Sequence, residues 1–139
     1  MKILKIAASA ILALHGLVHL LYLGQSARFF ELQPGMLWPD GAWIFSGYLG
    51  NAPIRNLANI SLILAAVGFV IGGAGLFLKQ DWWQPLVISA AVFSTVIYIL
   101  FWDGAMQSLD NKGGVGILIN LAILAALLVL HWPNFEFQG

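Results

Sequence analysis

Residues 3–24 read ILKIAASAILALHGLVHLLYLG, and the length of that run decides the fold. At a rise of about 1.5 Å per residue, a helix over this stretch covers the roughly 30 Å of hydrocarbon in a bilayer. Lys2 and Lys5 stand before the apolar run as in a secretory signal peptide, and Gly24 and Ser26 occupy plausible −3 and −1 cleavage positions. The run is long for the apolar part of such a signal, so the segment is expected to remain as the first helix.

Three further stretches read the same way, at about residues 54–78, 85–102 and 115–132. Their punctuation agrees. Lys79-Gln80-Asp81 closes the second, Pro85 sits where a first helical turn tolerates it, Gly113-Gly114 opens the fourth and Trp132-Pro133 ends it. The expected fold class is all-α: an integral membrane four-helix antiparallel bundle, residues 1–139 forming one membrane domain. Composition supports this. Of the 139 residues, 60% are apolar or aromatic and 9% are charged, against about 25% charged in a soluble domain. Such a chain is stable only where much of its exterior meets lipid.

Six basic residues balance six acidic ones, so no basic patch recommends nucleic acid as a partner. The absence of cysteine excludes disulfides, thiolate catalysis, Fe–S ligation and thiol–quinone chemistry. Lys2 and Lys5 beside the first span favour placing both termini in the cytoplasm of a cell whose inner membrane holds the chain. Trp82, Trp83 and Trp132 then fall at one interface, and Tyr22, Trp38, Trp43 and Trp102 at the other, as aromatic belts require. The loop 25–53 carries Phe29, Phe30, Leu37, Trp38, Trp43, Phe45 and Tyr48, so it is expected to lie on the bilayer surface or cap the helices. Pro39-Asp40-Gly41 is a plausible start for a short amphipathic helix within it.

The second span contains Gly68, Gly72, Gly73 and Gly75. In lipid, small residues let helix backbones approach closely, so Gly68, Gly72 and Gly75 are read as a packing face. Within the chain it would seat the other helices; docking of a second copy or another subunit is the alternative.

Chemistry concentrates in Leu14-His15-Gly-Leu-Val-His19-Leu-Leu-Tyr22. Spacing of four puts His15 and His19 on one helix face, with Tyr22 a turn further. Asn120 lies at about the depth of His19 on the fourth span, with Ser94, Tyr98, Asp103, Asn56 and Asn59 in the same half. Polar groups at such depth are costly unless paired. Three readings stay open. The histidines fix packing by hydrogen bonds across helices to Asn120, Tyr98 or backbone carbonyls. They hold a metal with Asp103, or a quinone-like cofactor with Tyr22, Tyr98 and Asn120. Or the cluster is a pocket for a small lipophilic ligand or lipid. His131 is a poor third ligand, since antiparallel helices leave it roughly 18–24 Å away at the opposite interface, and it reads as an interfacial anchor.

The run at residues 14–21, the four spans and Trp82-Trp83-Gln84-Pro85 resemble small uncharacterised bacterial four-helix membrane proteins, and in size and span number the chain is similar to DoxX-type membrane proteins. The resemblance implies the four-span layout and carries no activity. The leading functional expectation is a non-catalytic accessory or stabilising subunit of a larger membrane complex, an energy-converting one included, whose partners are the bilayer and other membrane subunits or further copies of itself. The alternative is a small redox, metal- or quinone-binding membrane protein using the His15/His19 face.

Overall fold

A computed structural model describes residues 2–135. Four helices follow in order: α1, Lys2–Ser26; α2, Asn51–Phe77; α3, Trp83–Leu100; and α4, Gly114–Leu124, continued by a π-helical turn over Ala125–Val129. A single 3-10 turn, Leu109–Lys112, precedes α4. No strand occurs among the described residues. Three of the helices, α1, α2 and α3, are long and apolar enough to cross a membrane. Their outward faces carry Ile11, Leu14, Leu21, Ile60, Leu64 and Val96, all exposed. A water-facing surface of that kind is untenable, and these helices mark a membrane protein.

The fourth expected span is shorter than the others. Its helical run, Gly114–Val129, covers about 24 Å at 1.5 Å per residue, against about 30 Å of hydrocarbon. It stops before the expected Trp132 because His131 turns left-handed at φ 48° and the Trp132 amide donates back to Ala126 O at 2.9 Å. A closure one residue tighter ends α1, with Arg28 at φ 65° and Phe29 N–H donating to Gly24 O, and α2, with Lys79 at φ 59° and Gln80 N–H donating to Gly75 O. This is the Schellman stop, which normally takes glycine at the left-handed position. Here Arg28 and Lys79 fill it, each a cation at the helix end where positive charge offsets the macrodipole.

The helices pack antiparallel in sequence order, and small residues set the spacing. A methyl group on Gly16 would come within 2.9 Å of Ala66 O, and one on Gly73 within 2.8 Å of Ser9 O, so α1 and α2 touch backbone to backbone. On the other face of α2, a Cβ on Gly68 would meet Ala90 Cβ at 3.0 Å, while Gly72 receives Val87 and Gly75 receives the Trp82 ring. Gly113 and Gly116 leave room for the Tyr98 ring, pinning the start of α4 to α3. The glycines of α2 are therefore occupied by this chain's own α1 and α3.

Two apolar clusters result. One, toward the chain termini, joins Leu12, Phe69, Leu76, Trp83, Val87 and Leu127. The other joins Tyr22, Ile54, Leu62, Ile97, Tyr98 and Phe101 to Met36, Trp38 and Ala42 of the first loop. Thus the loop caps the helices by inserting Trp38, 2% exposed, beside the rings of Tyr22 and Tyr98. No helix forms after Pro39-Asp40-Gly41; the backbone passes through successive turns. The Asp40 carboxylate, which a helix start would use as a cap, is drawn instead to Arg28 at 2.8 Å and Arg55 at 3.3 Å. Phe29 and Tyr48 project outward, 80% and 91% exposed.

Candidate functional site

The spacing of His15 and His19 does put both rings on one buried face of α1, with centroids 5.2 Å apart and nearly perpendicular. Gly16 lies between them, and its missing side chain brings α2 close enough to wedge Phe69 against both rings, at 4.6 and 5.5 Å. Across from α1, α3 supplies Ser94 and α4 supplies Asn120, both fully buried. Antiparallel packing brings these two to the level of the histidines.

The four side chains bond to one another. His15 Nε2 lies 2.7 Å from Asn120 Oδ1, Asn120 Nδ2 lies 2.8 Å from Ser94 Oγ, and Ser94 Oγ lies 2.7 Å from His19 Nε2. His19 Nδ1 lies 2.9 Å from the backbone carbonyl of His15. One proton assignment makes all four bonds with both rings neutral. A carbonyl only accepts, so His19 Nδ1–H donates to His15 O, leaving Nε2 to accept from the Ser94 hydroxyl. Ser94 oxygen then accepts from the Asn120 amide, and Asn120 Oδ1 accepts from His15 Nε2–H. The circuit begins and ends on residue 15 and passes through three helices. Its single loose end is His15 Nδ1, a buried nitrogen with no partner.

Tyr22 and Tyr98, grouped with the histidines as cofactor-binding candidates, sit beside the circuit and outside its hydrogen bonds. Tyr98 stacks between His19 at 5.7 Å and Tyr22 at 5.2 Å. The Tyr22 hydroxyl donates to Asp110 O at 3.2 Å. Asp103, considered as a third metal ligand, is engaged elsewhere: its carboxylate pairs with Lys112 at 2.7 Å and accepts the Ala105 amide at 3.0 Å. Among the described residues, no three of His, Cys, Asp and Glu come together as a metal-binding group. The physical reason is the closing of α3: Asp103 lies beyond its last turn, where Lys112, itself buried, needs a counter-charge.

Two residues that shape this end carry no signal in sequence. Gln25, the penultimate residue of α1, is fully buried. Its amide nitrogen donates to Met36 O and Trp38 O, and its oxygen accepts Leu32 N–H. Arg28 adds bonds to Leu37 O and Trp38 O. Together they clasp the first loop over the helices. Such residues are found only once the loop's backbone is known to fold back, because what they bind is main chain, which has no residue identity to read. Trp43 ties the loop to α3 through its indole N–H to Ile99 O at 2.7 Å.

No protein-family model, curated protein or solved structure matches this chain.

Proposed function

We propose that this chain is a non-catalytic accessory subunit that stabilises a larger complex of the bacterial inner membrane. In this reading α4 also crosses the bilayer, with local thinning and the flanking Leu130 and Trp132 making up its short length, and both termini lie in the cytoplasm. The observation that carries the proposal is the closed circuit. His15, His19, Ser94 and Asn120 lie at mid-helix depth, and apart from His15 Nδ1 their hydrogen bonds go to one another and to the His15 carbonyl. Side chains arranged in this way hold α1, α3 and α4 in register; a redox or metal centre needs donors pointing at a ligand.

The test is to purify wild type, His15→Ala and His19→Ala and to measure metal content, optical spectrum and resistance to unfolding together. Both variants should lose stability and leave metal content and spectrum unchanged. A metal or an absorption band that disappears with either histidine would overturn the proposal.

One observation favours a second reading. His15 Nδ1 is an unpaired acceptor buried among helices, and a quinol or other hydroxyl-bearing lipophile could donate to it. Under that reading, a quinone analogue would protect wild type against unfolding and fail to protect His15→Ala.

A further inference from the structure

The start of α2 holds a cavity of about 190 Å³ between the end of α1 and the first turns of α2. Its polar lining is Ser26, Arg28, Arg55, Asn56 and Asn59. Two guanidinium groups share the single carboxylate of Asp40, so this corner keeps a net charge of one positive. Arg28 is largely spent on the carbonyls of Gln25, Leu37 and Trp38. Arg55 is different. Only its Nε is engaged, toward Asp40 and Asn51 O, and its two terminal amino groups have no partner among the described residues. Asn56 and Asn59 make no hydrogen bond there either, and Asn59 Oδ1 is buried without one. The first turn of α2 has no side-chain cap, so its free amide groups add positive potential at the same place.

Below the cavity the same face of α2 turns apolar. Ile60 and Leu64 follow Asn56 at helical spacing, Ile63 and Val67 follow Asn59, and all four are exposed. A polar cationic pocket at a helix end, continued by an apolar stripe along that helix, has the shape of one kind of molecule: a phosphate-bearing head on hydrocarbon tails.

We infer that this cavity binds the headgroup of an anionic phospholipid bearing its own hydrogen-bond donor, as in phosphatidylglycerol. The phosphodiester accepts from the free fork of Arg55, the geometry that guanidinium groups favour. A headgroup hydroxyl donates to Asn59 Oδ1, and the acyl chains run along Ile60, Ile63, Leu64 and Val67. This rests on the membrane reading of the helices but not on the accessory-subunit role.

The test uses the full chain in micelles containing equal phosphatidylglycerol and phosphatidylcholine, with retained lipid counted by native mass spectrometry. Phosphatidylcholine has the phosphate and lacks both the donor and the net charge. Wild type should retain phosphatidylglycerol at least about fivefold over phosphatidylcholine. Arg55→Gln and Asn59→Leu should each erase most of that preference, while Lys79→Gln at the opposite helix end should keep it. Asn59→Leu replaces an unpaired polar group with an apolar one at membrane depth, so its unfolding without lipid should be no easier than wild type. Equal retention of the two lipids by wild type, or unchanged preference in both cavity variants, would overturn the inference. So would displacement of the lipid by inorganic phosphate alone, since the site would then read phosphate and not a lipid. A chain that fails to enter micelles or vesicles would instead contradict the membrane reading itself.

Discussion

Ser94 is the residue on which the circuit depends most, because one hydroxyl serves both sides. It accepts from Asn120 and donates to His19. Ser94→Ala removes both bonds and leaves a bare imidazole nitrogen and an amide hydrogen buried. Interhelical hydrogen bonds in membranes average about 0.6 kcal/mol and reach about 1.7, and stranding a buried polar group adds to that. The expected loss is about 2 kcal/mol, measured by unfolding in mixed micelles; a loss below about 0.5 kcal/mol would mean that the circuit does not hold the helices. His15 and Asn120 should be coupled. In a double-mutant cycle with alanine at both positions, the interaction energy should be about 1 kcal/mol, and additivity would contradict the 2.7 Å bond between them. The histidine pair and Asn120 were legible in sequence, because polar residues in apolar runs stand out and helix period gives their face. Asp103 misled for an equally physical reason. Carboxylates one turn past a span end read as facing inward, and the buried Lys112 that claims it lies in a segment that sequence reads only as a turn.

At the scale of elements, the left-handed stops and the glycine contacts make separable predictions. Lys79 pays for φ 59° with steric strain that glycine would not incur. Lys79→Gly should therefore raise stability by about 0.5–1 kcal/mol, read from the same unfolding curves; a clear loss would show that the basic side chain matters more than the strain. A Cβ added at Gly73 would meet the α1 backbone at Ser9 O, 2.8 Å away. Gly73→Leu has nothing flexible to push aside and should cost about 3 kcal/mol or prevent assembly of α1 on α2. Gly47, where an added Cβ would meet nothing within 4 Å, is the control and should tolerate alanine. Helix existence was readable because four apolar runs are bounded by turn residues. Helix ends were less so: the fourth run continues in sequence to Trp132, and the backbone turns away earlier because His131 adopts a conformation that its residue type does not announce. The first loop was readable as aromatic and cap-forming. Its internal course was not, since Gln25 and Arg28 hold it through backbone carbonyls.

For the whole molecule, three membrane-length helices and a shorter fourth pack in order, with the His15–Asn120 circuit bonded inward and apolar side chains outward. Four crossings put both termini on one side, three put them on opposite sides. The chain contains no cysteine, so single cysteines introduced at Lys2 and Asn134 can be labelled by an impermeant reagent without background. The four-crossing reading expects both to be protected in intact cells and reactive in inverted vesicles; opposite behaviour of the two sites would limit the chain to three crossings.

The subunit role reaches furthest and has the most direct test. The native mass of the chain should be measured after gentle extraction from its own membrane, with stoichiometry of every co-migrating protein. The accessory-subunit account predicts a complex well above the mass of the chain plus its lipid, containing another membrane protein at fixed ratio. A chain that migrates alone, at the mass of a single copy with lipid, would contradict it.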